Sequence, residues 1–299
     1  MAKPTIANVA ELAGVSQATV SRALRGATNV TEETRIKVQR AADQLNFTLS
    51  KSASALASGK TMRVILLVSG KLNEWFNSGV LQGVYEELAP VGYDVTPAFI
   101  TDRSELDRFF SQLPKSRNAD AIIIPSFQLM PAMRDQLQAI DLPTVGVNVP
   151  AESGYFDASI SIDNSSAMTM AVRLLRSLGH TNIAFCSDYI PADMVYNTSQ
   201  RTQAFADAAQ ANATDGITFS LLTADAHDAP LSKSDLASQL TAKLLSLPER
   251  PTAVCVETDQ VAIALVKELR KQQLNVPEDI LVLGFDDAEI AQAADLSTI

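Results

Sequence analysis

Two sets of residues in this 299-residue chain have types and spacings that could do chemistry. The first is Gln17, Ala18, Ser21 and Arg22. On a helix, residues three and four apart stack above one another, so these four share a face. A glutamine amide can pair with an adenine edge, a guanidinium with guanine O6 and N7, and an alanine methyl can touch the thymine methyl. That face has the inventory of a base reader in a major groove. The second set is Trp75, Phe76, Asn148, Arg201, Thr258 and Asp286, with Glu257, Asp259 and Asp287 beside the last two. Aromatic faces, carboxylates and an arginine converging on one place suit a polyhydroxylated ligand, its ring stacked and its hydroxyls held by bidentate bonds. Each set also has a plainer reading. The polar face could be the solvated side of an ordinary three-helix domain. Thr258 or Asp286 could cap a helix, Trp75 could be core, and Arg201 could make a structural ion pair.

Little else in the chain invites catalysis. His180 and His227 lie in different loops, and His180 follows a helix end, where a positive dipole partner is the usual role. Metal-ligand spacing, a phosphate-binding Gly-rich loop and a nucleophile elbow are missing from the sequence. Cys186 and Cys255 sit within apolar strands and read as inert core thiols, not a disulfide framework. The expectation is a protein that is not an enzyme and needs neither cofactor nor metal.

The base-reading face needs a helix held at a fixed angle by another. Thr5 can cap a first helix with Ile6, Val9, Ala10 and Ala13 at helical spacing, and Gly14 supplies the positive φ that ends it. Val15 can plug the gap, and Ser16 caps a second helix from Gln17 to Leu24 with Val20, Ala23 and Leu24 inward. A third starts after Thr31 and buries Val38, Ala41 and Leu45. Helix, Gly turn and a polar, Arg-bearing second helix make a helix-turn-helix.

Charge is distributed accordingly. Residues 1–60 carry eight Lys or Arg against four Asp or Glu, a net of +4, which leaves −14 for residues 61–299 of a total of −10. A basic head on an acidic body is the asymmetry of a chain with one end meeting a polyanion, although a chance excess of bases gives the same count. The hydrophobic share of 46% and charged share of 19% exclude a disordered chain, and the length calls for two or more domains. Apolar runs such as Val64 to Val68 are too short to span a bilayer, and Met1-Ala2-Lys3-Pro4 starts no signal-peptide core. A cytoplasmic protein with no membrane partner is expected.

Residues 5–26 (TIANVAELAGVSQATVSRALRG) and 29–47 (NVTEETRIKVQRAADQLNF) resemble the DNA-binding head of the lactose-repressor (LacI/GalR) family of bacterial transcription regulators. The resemblance implies that Gln17, Ala18 and Arg22 read bases while Thr5, Ser16, Thr19, Ser21, Asn29, Thr31 and Thr34 hold phosphates. It implies a hinge helix over Ser50–Ala57, folded only on operator DNA, that lies in the minor groove with Leu56 wedged into the central base step and Ala53 one turn earlier. Read from residues alone, that stretch favours a flexible Ser/Ala linker with Leu56 covering a domain surface. The family's usual Tyr-x-Pro-Asn before the hinge is Phe47-Thr48-Leu49-Ser50 here, which predicts a looser helix start.

From Arg63 onward, β-branched runs alternate with amphipathic helices. Strands are expected at Arg63–Val68, Tyr93–Ala98, Ala121–Pro125, Thr144–Asn148, Ala158–Ile162, Ile183–Ser187, Ile217–Leu222, Ala253–Val256 and Leu281–Phe285. Helical patterns include Ser78–Leu88, Ser166–Leu178, Gln200–Ala211, Asp235–Leu247 and Gln260–Gln272. This alternation gives parallel sheets covered by helices on both faces, two of them dividing near residue 160. Ligands in such sheets bind beyond the carboxyl ends of the strands, which is where the second set of residues falls. Trp75 and Phe76 are placed in a polar turn after the first strand.

The fold expected is therefore a small all-α helix-turn-helix head (1–47), a hinge (48–61) and an α/β body (62–299). The resemblance implies a two-lobed body like the periplasmic sugar-binding proteins, with a small sugar-like effector in the cleft, gripped by Arg201 and Asp286. Glu74, Thr258 and Ala204 replace residues usual there. It further implies a homodimer on a near-palindromic operator and, in some relatives, a phosphocarrier protein docked on the body. The family's body continues beyond Ile299, so a truncated C-terminus is expected. Two rivals remain: a sugar-binding module without regulatory DNA binding, and a small-molecule enzyme on the same two-lobed fold.

Overall fold

The computed structural model describes residues 4–48, 60–116, 118–126, 131–139, 142–149, 156–190, 196–213, 216–226 and 231–299. The head consists of α1 (Ile6–Ala13), α2 (Gln17–Leu24) and α3 (Glu32–Gln44). Each helix starts on a hydroxyl cap. Thr5 accepts from the Asn8 N–H and Asn8 reciprocates on the Thr5 N–H, Ser16 accepts from Thr19, and Thr31 from Thr34. Such caps are each worth about 1 kcal/mol. Gly14 ends α1 at φ 63°, a left-handed conformation that lets its N–H return to the Ala10 carbonyl. Val9, Ala13, Val20, Ala23, Val38 and Ala41 close the small core, with Val15, Leu24, Leu45 and Phe47 packed against it. The small residues matter because they allow three short helices to approach closely.

The body is built on two parallel sheets. In chain order the first contains β1 (Arg63–Ser69), α4 (Trp75–Leu88), β2 (Asp94–Ile100), α5 (Arg103–Ser116), β3 (Ala121–Pro125), α6 (Pro131–Ala139), β4 (Thr144–Val147) and β5 (Ala158–Ile160). Its strand order is β2-β1-β3-β4-β5. The second follows as α7 (Asn164–Ser177), β6 (Asn182–Ser187), α8 (Asn197–Ala211), β7 (Thr218–Thr223), α9 (Lys233–Leu245), β8 (Ala253–Val256), α10 (Asp259–Lys271), β9 (Leu281–Leu283) and α11 (Glu289–Ala293). Its order is β7-β6-β8-β9. Ile299 lies along the end of β9, where the Asp286 N–H donates to its carbonyl.

Burial explains the sequence pattern. The inner strands β1, β6 and β8 are buried on both faces and read as unbroken apolar runs. β2 alternates instead and carries Pro97 opposite Leu66, which is tolerated because β2 is an edge strand. In the second lobe one core forms between α9, α10 and the sheet, around Leu240, Val254 and Leu265, and another lies under α7 and α8, around Leu175, Phe185 and Phe205. Leu106, Phe110 and Leu113 of α5 recur at helical spacing and fill the first lobe with Ile122 and Ile124.

All nine expected strands are present, with ends displaced by at most two residues. Two helix starts need correction: the one expected at Gln200 lies at Asn197, and the other bears on the site. The helix expected from Ser78 begins at Trp75, so Trp75 and Phe76 form its first turn and are not in a loop. The Asn77 amide donates to the carbonyls of Ser69 and Lys71, and the Ser78 hydroxyl to those of Glu74 and Trp75. The Asn77 bonds tie the helix start to the end of β1, a local constraint that apolar periodicity does not register.

Candidate functional site

On the head, Gln17, Ala18 and Arg22 of α2 are exposed and Thr19 and Ser21 are half-buried beside them. Thr5, Ser16 and Thr31, the helix caps, add further polar groups to the head. Thr5, Ser16, Asn29 and Thr31 are exposed and Thr34 half-buried. Ser16 and Thr19 share a hydrogen bond between hydroxyls at 2.9 Å, and Thr31 and Thr34 one at 2.8 Å. Each pair uses one hydroxyl hydrogen internally and keeps another to donate outward, which suits phosphate oxygens. Ser21 accepts from the guanidinium of Arg25, which lies just past the helix. Ala53 and Leu56, expected to enter the minor groove, lie outside the described residues, as does His227.

In the body the carboxyl ends of both sheets face one cavity of about 820 Å³. Residues that follow β1, β2, β3, β4, β6, β7, β8 and β9 all contribute to its wall. Within each sheet the parallel strands all end on the same side, and the chain then turns across that edge. Phe76, Asn148, Arg201, Thr258 and Asp286 are brought together there. Trp75 is not. It is 42% exposed and absent from the cavity wall, because adjacent residues in a helical turn point about 100° apart and Phe76 takes the inward direction. Among the described residues the other aromatic rings of the cavity are Tyr189 and Tyr196.

Arg201 is the anchor. Only 2% exposed, it projects from α8 with its Nη1 donating to the Glu257 carbonyl and, at 3.0 Å, to Asp286 Oδ1. Its guanidinium carbon lies 3.7 Å from the centre of the Phe285 ring, and its buried Nε–H has no partner among the described residues. The ion-pair reading of Arg201 and the cavity reading thus hold together. Thr258 likewise does both, lining the cavity and capping α10 through the Val261 N–H. Burial lowers the Arg201 pKa from its ordinary value, and the Asp286 charge opposes that shift. Burial also pushes the Asp286 carboxyl up to about 6 against the pull of Arg201. Glu257, in the cavity wall, is pushed up to about 7 by burial and by the nearby Asp188 charge.

Backbone geometry concentrates here as well. Ser126, Asn148 and Asp286, each at a strand end, have φ of 66°, 54° and 121°. Such conformations cost of order 1–3 kcal/mol for a non-glycine residue and persist where the surroundings enforce them. Asn148 shows how. Its side-chain carbonyl accepts from the Asn197 amide at the start of α8, the Asn197 carbonyl accepts from Asn164 at 3.0 Å, and the Asn197 N–H donates to the Ser126 carbonyl. With the Ser69–Tyr196 hydroxyl contact at 3.0 Å, this stitches the two sheets across the cavity.

Elsewhere, His180 places Nδ1 2.9 Å from the Thr252 hydroxyl, so its described partner is a side chain across the lobe and not only the end of α7. Cys186 and Cys255 are fully buried, and burial pushes their thiols up, Cys255 to about 12. Among the described residues no group of three His, Cys, Asp or Glu could hold a metal, and no helix is long and apolar enough to cross a membrane.

Known proteins share both parts. Residues 5–50 match the bacterial regulatory proteins of the lacI family, and residues 172–299 match the periplasmic binding protein-like domain. The HTH-type transcriptional repressor PurR of Vibrio cholerae is 30% identical over 291 residues, covering 96% of this chain and 83% of the relative. The HTH-type transcriptional regulator CelR of Thermobifida fusca is 28% identical over 98% of this chain and 85% of its own length. Among solved structures, a CelR–cellobiose complex superposes with a TM-score of 0.63 at 26% identity, covering 99% of this chain and 87% of the other. The operator-bound lac repressor dimer superposes at 0.81 with 23% identity over 99% and 87%, which shows a common fold. An exposed polar, Arg-bearing face on a capped second helix, joined in one chain to a two-sheet body with a central cavity, thus coincides with matching sequence over both parts, and the chain belongs to the lacI family of bacterial regulatory proteins, as a DNA-binding transcription regulator.

Proposed function

We propose that this regulator is a homodimeric repressor of carbohydrate-use genes, released from a near-palindromic operator when a small sugar-like effector occupies the cavity between its lobes. The cavity carries the reading. Arg201, Asp286 and Asn148 offer fixed donors and acceptors, and Phe76, Tyr189 and Tyr196 offer ring faces, the combination that holds a neutral polyol. The carboxylates there outnumber the cations, which disfavours an anion. The likeness to a regulator solved with cellobiose supports the same class.

In this account Gln17, Ala18 and Arg22 read base edges, Thr5, Ser16, Thr19, Ser21, Asn29, Thr31 and Thr34 hold phosphates, and Ala53 and Leu56 enter the minor groove. A two-fold dimer places two heads on two half-sites. An apolar groove of α4 and β2 lined by Leu81, Val95, Pro97 and the exposed Tyr85, with the exposed Phe99 on the same strand, is the surface it offers a second copy. Effector binding favours one arrangement of the lobes, and the Asn148–Asn197 and Ser69–Tyr196 contacts are what that arrangement adjusts. A phosphocarrier protein, as the resemblance implies for some relatives, would bias the same equilibrium and is read by adding one to the operator complex. The chain has no role as an enzyme here.

The test is calorimetric titration of the protein with a panel of mono- and disaccharides, cellobiose and glucose included, followed by operator binding with and without the sugar that binds. One sugar should bind and shift operator affinity. Arg201→Ala should abolish that shift while leaving operator affinity in the absence of sugar nearly intact; equal loss of both would make Arg201 structural.

A further inference from the structure

We propose that Ser21 and Arg25 form one phosphate seat at the C-terminal end of α2, so that Arg25 positions the reading helix on the operator backbone. The proposal rests on the DNA-binding reading of the head. Gln17, Ser21 and Arg25 step by four residues and lie in one row on the face that carries Ala18 and Arg22. Arg25 is exposed, immediately follows the helix, and folds back along it. Its Nε–H donates to the Ser21 carbonyl at 2.9 Å and its Nη2–H to the Ser21 hydroxyl at 2.7 Å.

Three consequences follow from that geometry. A guanidinium has five N–H donors, and two are used on Ser21, leaving three for an outside acceptor. The Ser21 hydroxyl, accepting from a cation, keeps its own hydrogen and is polarised to donate it. And the arginine is already held before DNA arrives, so less rotamer freedom is lost on contact. Two oxygens of one phosphate can then take the Ser21 hydroxyl and an Arg25 N–H together. Among the described residues Arg25 pairs with no carboxylate, whereas Arg35 of the same head sits 3.4 Å from Glu32. The backbone, not a base, is the partner, because reading helices bring their N-terminal residues to base edges and Arg25 lies past the last turn, folded back on Ser21.

The experiment uses the full chain on two duplexes, one enriched from a random pool by the wild-type protein and one unrelated duplex of equal length. Affinity is measured against salt for wild type, Arg25→Ala, Ser21→Ala and the double variant. Loss of one phosphate contact lowers the slope of log K against log salt by about 0.9. That drop is expected for Arg25→Ala on both duplexes, with the same fold-loss on every single-base variant of the enriched one. Ser21→Ala should cost little further once Arg25 is gone. A loss confined to one base pair would make Arg25 a base reader, and an unchanged slope with a lowered melting temperature would reduce it to a helix-end bond; either overturns the seat. Should the wild type enrich no sequence, the operator reading fails separately, and the slope on the unrelated duplex still decides for or against the seat.

Discussion

At the scale of single residues, the cavity's charges set a pH dependence with a definite sign. The Glu257 carboxyl is pushed up to about 7 from an ordinary 4.5, and Asp286 up to about 6 from 3.8. Groups whose folded pKa lies above the unfolded one contribute fully below the unfolded value, and that contribution is lost as pH rises through the folded value. The body should therefore become less stable between about pH 4.5 and pH 7.5, by up to about 3 kcal/mol from Glu257 alone. Glu257→Gln removes a titrating group while keeping its shape. Urea unfolding followed across that range should show a shallower decline for the variant; parallel curves would mean that Glu257 is ionised in the folded state at all these pH values. Asp286 and Asn148 were legible in sequence because the strand-end rule needs only the strands, whereas Arg201, near the start of α8, was singled out by its charge and by the family resemblance. Tyr189 and Tyr196 were not, since they sit in a long connection whose path no periodicity describes. Trp75 was misassigned for a related reason: a helix that starts three residues early turns one of two adjacent aromatics outward.

At the scale of elements, caps and close approaches did most of the specifying. The head's three helix starts were readable because Thr5, Ser16 and Thr31 each stand at the border between extended and helical residues, where a side-chain oxygen can serve an orphan N–H. Gly284 was not readable in that way. Its value depends on a residue distant in sequence, since a Cβ there would stand 2.1 Å from Asp259 Oδ1 and 2.8 Å from Leu296 Cδ2. Asp259 is fully buried and accepts from the Ala288 N–H and the Thr298 hydroxyl, which fixes the turn that carries Asp286. Gly284→Ala should push this carboxylate off its donors and destabilise the chain by about 1–3 kcal/mol. Denaturant midpoints measure it, and a midpoint equal to that of the wild type would mean that the turn yields without cost.

At the scale of the whole molecule, the two-sheet body and the head follow from different patterns, short apolar runs for the buried strands and a period of 3.6 for the helices, so their order along the chain was legible. The contacts that join the sheets across the cavity were not, because the Asn148–Asn197–Asn164 chain and the Ser69–Tyr196 pair connect residues far apart in sequence through polar atoms that carry no periodic signal. The exposed face of α2 must read a duplex if the cavity is to control anything. Selection of bound sequences from a random duplex pool tests it most directly, with wild type and Arg22→Ala compared side by side. The account predicts one near-palindromic sequence for the wild type, and for the variant a loss of preference at one base pair in each half, by about 1–3 kcal/mol. Recovery of no preferred sequence, or an identical preference from both proteins, would contradict it.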